Sequence, residues 1–206
     1  ITGPFHYHPE LSRHGAETSH LVPKAIATPE CVPLVLRQPH QPKLIYELNV
    51  RGFTMRHPDV PEHKRGTIAA LAEPAIIQHF KAIGADTIEL MPIAAWIDER
   101  HLVNLGLHNA WGYNPVSMFA IDPRLAPGGL QELRDTVTIL HQNGINVLLD
   151  VVFNHTCEGN ELGPVLSMKG LENRVYYILE NGGSRYANYT GCGNTINGNH
   201  PIVREM

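Results

Sequence analysis

Two rhythms of apolar and polar positions alternate between Lys43 and Val152. Leu44-Ile45-Tyr46-Glu47-Leu48-Asn49-Val50 alternates in part and reads as a strand. Gly52 follows, then a polar loop through Arg65-Gly66. Pro74 to Ile83 reads as a helix, because Ile76, Ile77, Phe80 and Ile83 share one face and proline suits the first turn. Gly84 is placed to cap it. Thr87 to Ile93 reads as a second strand. Gly129 to Asn143 reads as a second helix, with Leu130, Leu133, Val137 and Leu140 on one side and Gly144 ending it. Ile145 to Val152 is the third strand. Two strand–helix–strand crossovers in succession predict right-handed βαβ units and a parallel sheet.

The third strand carries the most informative stretch, Val147-Leu-Leu-Asp-Val-Val-Phe-Asn-His155. Its apolar run predicts burial on both faces, and its close delivers Asp150, Asn154 and His155 to the rim where parallel sheets hold ligands. The rest is less regular. Residues 1–42 hold Pro4, Pro9, Pro23, Pro29, Pro33, Pro39 and Pro42 and read as a linker or the remnant of a preceding domain. Ala94 to Pro127 reads as a long loop, longer than compact domains keep without function. Asn154 to Met206 is loop-like, with a short helical piece over Leu171 to Leu179 and a further helix opened by Pro201.

Composition narrows the partners. The 206 residues suffice for one large domain, and a net charge of −4 without a basic block argues against nucleic acid and anionic membranes. A neutral, hydroxyl-rich ligand suits such a surface. No stretch approaches the roughly 18 apolar residues of a membrane span. The start lacks the pattern of a signal peptide, so a cytoplasmic location is expected. Cys31, Cys157 and Cys192 form no CxxC pair and read as free thiols. His6, His8, His14 and His20 lack metal-site spacing and read as solvated.

Four groups could do chemistry: Asp150, Asn154 and His155; Trp111, Gly112, Tyr113 and Asn114; Asn194, Asn197, Asn199 and His200; and Glu89 within the second strand. Amides, an imidazole and aromatic faces together suit a sugar, whose hydroxyls need fixed donors and acceptors and whose C–H face packs on a ring. Trp111 reads as a packing residue and Glu89 as a partner for a buried polar group. The terminal asparagines are equally readable as turn chemistry.

Asp150-Val-Val-Phe-Asn-His155 resembles the first conserved motif of the α-amylase superfamily, glycoside hydrolase family 13. Ile45-Tyr-Glu, Gly66-Thr-Ile, Glu89-Leu-Met-Pro, Trp111-Gly-Tyr-Asn114 and Thr190-Gly-Cys-Gly-Asn-Thr-Ile-Asn197 follow in the order seen in bacterial glycogen debranching enzymes of the isoamylase type. The resemblance implies an α/β fold, namely part of a (β/α)8 TIM barrel over 43–206 behind an irregular segment 1–42. It implies retaining hydrolysis of α-1,6 branch linkages in glycogen or branched maltodextrin. Tyr113 would stack on the glucose beside the scissile bond, His155 would hydrogen-bond it, and Asp150 would organise the site. Asn194 and Asn197 join them as substrate-binding candidates. Asn154 resembles a calcium ligand of some amylases, although debranching relatives often lack that site. No other cofactor is expected.

Retaining hydrolysis needs two carboxyl groups about 5–5.5 Å apart. The family's nucleophile lies in an Arg-x-Asp stretch after the fourth strand, and that stretch is not in this sequence. The expectation is therefore a fragment of a debranching glycosidase that is inactive alone, with no catalytic carboxylate of its own. The alternatives are a non-catalytic α-glucan-binding piece or part of a trehalose-releasing hydrolase. Unpaired strand edges would favour self-association or pairing with the missing barrel half.

Overall fold

In the computed structural model, residues 1–28 and 41–206 are described. Pro29, Pro33, Pro39 and Cys31 lie outside the described residues. In chain order the elements are β1 (Ile45–Leu48), α1 (Val50–Thr54), α2 (Pro74–Ile83), β2 (Thr87–Leu90), β3 (Ala94–Trp96) and α3 (Arg100–Asn104). They continue with β4 (Pro115–Ile121), α4 (Gly129–Gln142), β5 (Asn146–Leu149), α5 (Met168–Tyr176), β6 (Leu179–Glu180), β7 (Arg185–Tyr186) and α6 (Pro201–Glu205). The chain divides into two units, each assembled from three segments. The first holds residues 1–3, 25–93 and 120–151, and the second holds 4–24, 94–119 and 152–206.

The first unit is an α/β unit on a parallel sheet of order β1-β2-β5. β1 runs parallel to β2 with Ile45 opposite Thr87 and Leu48 opposite Leu90, and β5 continues the register with Asn146 opposite Thr87. Central β2 is the most protected strand, with Thr87, Ile88 and Leu90 buried. The sequence places α2 correctly, and the reason is local. Pro74 starts the helix where its missing N–H is harmless, and Gly84 ends it at φ +79°, with its N–H returned to Lys81 and Phe80. The apolar face then brings Phe80 onto Phe53, rings stacked 5.5 Å apart, with Tyr46 beside them. Helix α4 is tied down by Glu132, which accepts from Ala69 N and Gly128 N.

β5 departs from expectation. Its run is not buried on both faces: Leu148 and Leu149 are 43% and 45% exposed, and Val151 is exposed too. β5 hydrogen-bonds only to β2, so it is an edge strand among the described residues. Apolar composition shows that a strand tolerates burial, not that a neighbour covers it.

In the second unit, the span expected to be a long loop contains structure. β3 and β4 form a two-stranded sheet with α3 between them in sequence. A short pair, β6 and β7, runs antiparallel. Tyr177, Ile196 and Val203 form a core, with Met118, Met168 and Tyr186 packed against it. Residues 4–24, read as linker, fall in this unit, where Phe5 and Leu11 are buried and Leu11 O accepts from Val165 N. α5 begins three residues earlier than the helical piece read over Leu171 to Leu179 and is kinked at Glu172.

Candidate functional site

Within the second unit, Tyr113, Asn154 and His155 come together. His155 is buried, and its Nε2–H donates to Tyr113 O at 2.9 Å. A carbonyl can only accept, so Nε2 carries the proton in this bond. The Asn154 carboxamide lies 3.0 Å from Nδ1. Its Oδ1 is the atom that faces Nδ1. Asn154 itself is exposed. His155 thus meets the backbone of Tyr113 with one nitrogen and the side chain of Asn154 with the other.

The turn bearing Tyr113 is pinned from behind. Asn109 Oδ1 accepts from Trp111 N and Gly112 N at 2.9 and 2.8 Å. Its Nδ2 donates to Glu99, its N–H donates to Asp98, and its carbonyl accepts from the Trp96 indole. Gly112 takes φ +83°, the left-handed region glycine tolerates, which turns the chain from Trp111 into Tyr113. Asn114 donates from Nδ2 to Ile97 O at 2.7 Å. The rings of Trp111 and Tyr113 meet edge to face, 6.5 Å apart at 77°.

Behind His155 lies a network that the sequence did not single out. Glu158 is fully buried. It accepts from Leu166 N, Ser167 N and Lys169 N at 2.7, 2.9 and 2.9 Å, and from Tyr177 OH at 2.6 Å. A carboxylate that accepts from amides just before and within the first turn of α5 is favourable on dipole grounds. Tyr177 OH also contacts Thr156 Oγ1 at 2.6 Å. Burial first, then the charge of Glu158 and the bond to it, pushes the Tyr177 phenol far up. Burial raises the Cys157 thiol as well, with Glu158 next in effect. Burial lowers Lys169, against the opposing pull of Glu158.

Asn194 belongs to this frame rather than to a ligand surface. It is fully buried, accepts from Thr156 N and donates to Thr156 O and Gly159 O. With both polar ends bonded to backbone, it clamps the segment that follows His155. Asn197 is bonded through its N–H to Tyr176 O. Asp150 falls in the first unit, directly after β5, where its N–H donates to Leu90 O. Glu89 lies in β2 opposite Glu47 and Leu148 and is half-buried. Trp111, read as a packing residue, is exposed. Among the described residues no group of three or more His, Cys, Asp or Glu is placed to hold a metal ion. No helix of the described residues is long and apolar enough to cross a membrane.

No family model matches the chain. It is 50% identical over 167 residues to a glycogen debranching enzyme of Yersinia pestis bv. Antiqua (strain Angola), covering 79% of this chain and 25% of that protein. The chain is similar to a part of the glycogen debranching enzymes. A glycogen debranching enzyme of Klebsiella pneumoniae (strain 342) is 46% identical over 172 residues, covering 82% of this chain and 26% of that protein. The chain thus spans about a quarter of the length of the curated relatives it matches. A crystal structure of pullulanase complexed with maltotetraose from Anoxybacillus sp. LM18-11 superimposes with a TM-score of 0.67 at 27% identity, over 85% of this chain and 27% of that one.

Proposed function

We propose that this chain is the glucose-holding part of a debranching glycosidase acting on α-1,6 linkages in glycogen-like glucans. Residues 43–206 form the first βα units of a (β/α)8 barrel, with 1–42 preceding it. The observation that carries the reading is the His155–Tyr113 bond, which holds the imidazole against the backbone of the pinned turn that bears Tyr113. Relatives named glycogen debranching enzyme at about half identity support the substrate class, as does the pullulanase bound to maltotetraose. Tyr113 stacks on a glucose ring, and a sugar hydroxyl takes the place of Asn154 at His155 Nδ1. For Asp150, which falls in the first unit, the motif resemblance supports an organising role.

The proposal includes an absence of hydrolysis by the chain alone, since the Arg-x-Asp stretch is not in its sequence. Calorimetric titration with maltohexaose tests the binding half. The expected outcome is binding that Tyr113→Ala weakens by roughly tenfold, the worth of one aromatic stacking contact. No heat from maltohexaose at millimolar concentration overturns the binding reading. Reducing ends released from glycogen, and still released by Asp150→Asn, overturn the inactivity and the role of Asp150 together.

A further inference from the structure

We propose that Asn194 is a positioning residue for His155: its carboxamide stands in for a peptide unit of a neighbouring strand and fixes residues 154–157 against the turn that bears Tyr113. The proposal rests on the sugar-binding reading of Tyr113 and His155 above. Hydrogen bonds leave this segment on alternate sides. Toward the turn, His155 Nε2–H donates to Tyr113 O at 2.9 Å, and Cys157 N–H donates to Pro115 O at 3.0 Å. On the other side Asn154 O accepts from Ile196 N at 3.0 Å, and both backbone groups of Thr156 are met by Asn194. Residues 154 and 156 thus face 196 and 194, while 155 and 157 face 113 and 115, the alternation of a central strand. One rung differs from a strand. The partners of Thr156 N and O are not a peptide C=O and N–H but the Oδ1 and Nδ2 of a side chain, each at 3.0 Å.

The loop that carries Asn194 is shaped to bring it there. Nδ2 has a second acceptor, Gly159 O at 3.0 Å, so the carboxamide also bridges the turn over residues 157–158. Gly193, directly before it, takes φ +100°, and a Cβ there would lie 2.8 Å from Asn160 N and 3.0 Å from Gly159 C. Those are backbone atoms, which cannot swing aside as the end of a side chain would. Only glycine lets the loop approach closely enough for Asn194 to reach across. Asn188 Oδ1 accepts from Gly193 N at 2.8 Å and ties the loop to itself. The energetics point the same way. Asn194 is fully buried, so losing its amide leaves one donor and two acceptors of residues 156–159 without their partner. The segment relieves that cost by shifting, and His155 is one peptide away. A shift that tilts the imidazole weakens its bond to Tyr113 O, since hydrogen bonds fall off steeply with angle.

The readout is the Nε2 proton of His155 in histidine-ring proton–nitrogen NMR spectra, assigned by its loss in His155→Gln, and its rate of exchange with water. A change at Asn194 reaches that proton through the backbone of Thr156. Asn194→Ala should speed its exchange about tenfold, the effect of one hydrogen bond, and weaken maltohexaose binding by a similar factor. Asn194→Asp keeps the size and the acceptor for Thr156 N but sets a carboxylate against the carbonyls of Thr156 and Gly159. It should therefore do no better than Asn194→Ala. Gly193→Ala should reproduce both effects with Asn194 intact. Tyr186→Phe, which removes the hydroxyl bonded to Asn173 Oδ1, lowers stability elsewhere in the unit and should leave the His155 proton as in wild type. An unmoved His155 proton in Asn194→Ala, with only the urea midpoint lowered, overturns the proposal and leaves the Tyr113 reading standing. Wild-type behaviour of Asn194→Asp overturns it as well. Faster exchange in Asn194→Ala, in a protein whose wild type binds no maltohexaose, upholds the positioning and removes the sugar reading. Should these variants fail to fold, the wild type decides. The Thr156 amide and the His155 ring proton should then share one opening, less dependent on urea than global unfolding, and a His155 proton that exchanges while Thr156 stays protected overturns the proposal.

Discussion

Replacing Glu158 by alanine should be among the most damaging single changes in the second unit. The carboxylate takes hydrogen bonds from three amides, those of Leu166, Ser167 and Lys169, and from the hydroxyl of Tyr177. Each donor left unmet in a buried site costs about 1–3 kcal/mol, so simple addition over the four gives roughly 4–12 kcal/mol. Addition overshoots, because water can enter the space vacated by the side chain. Removing one partner from a buried charged network costs about 3–5 kcal/mol, and we expect Glu158→Ala to fall there. A domain holds only about 5–15 kcal/mol in all, so the variant should sit close to unfolding. Glu158→Gln separates charge from shape. Its carbonyl can still accept from Leu166 and Ser167, but its NH2 group faces the Lys169 amide. Tyr177 can turn its hydroxyl toward Thr156, so the expected loss is smaller, about 1–3 kcal/mol. Urea denaturation followed by circular dichroism gives the free energies, and hydrogen exchange at Leu166, Ser167 and Lys169 gives the local effect. The reasoning is refuted if Glu158→Ala lies within about 1 kcal/mol of wild type, or if those three amides exchange no faster.

Two further predictions use the same neighbourhood. Cys157 is buried with its thiol pushed up, whereas Cys192 is exposed; iodoacetamide at pH 8 with peptide mapping should label Cys192 in the folded protein and Cys157 only after urea is added. Equal labelling rates would show that the Cys157 pocket is open. For Tyr177 the folded phenol is shifted up, so the stabilisation is present in full below about pH 10, where the unfolded phenol titrates, and is lost above it. Lys169 is shifted down and works in the opposite sense, so the quantity to follow is wild type minus Tyr177→Phe. That difference should be flat to about pH 9 and then fall by up to about 1.4 kcal/mol per pH unit; a difference that stays flat to pH 11 refutes it.

What the sequence made legible was what is local. Pro74 and Gly84 bracket α2 because one tolerates a missing N–H and the other a positive φ, and both signals sit within the helix's own residues. The strands β1, β2 and β5 were legible as apolar runs, but each is shorter than the run that announced it, since the ladder stops where pairing stops. The pairing of β3 with β4 left no such trace. Ala94–Trp96 is too short to show alternation, and its partner strand begins at Pro115. Tyr113 and His155 were found through motif order, yet the bond between them joins residues distant in sequence. Glu158 was missed for a related reason. Between Cys157 and Gly159 it reads as a loop acid, and its donors lie at 166 to 169 and at Tyr177, where nothing in the intervening glycines and asparagines points back to it. Asn194 was selected for its amide, and burial decided that the amide faces backbone rather than sugar.

The interleaving of the two units bears on how the chain acquires its fold during synthesis. The second unit needs residues 4–24, 94–119 and 152–206 together. Leu11 O waits for Val165 N, a partner made well over a hundred residues later. Closing so long a loop costs little more than closing one half its length, because the entropy grows only with the logarithm, by about 0.6 kcal/mol per doubling. The delay is one of order of arrival rather than of energy. On the ribosome, β1 and β2 can pair as soon as residue 93 has emerged, while Phe5 and Leu11 remain uncovered until the last segment follows. A nascent chain halted at residue 150 should therefore expose residues 4–24 to protease, and one extended through residue 206 should protect them.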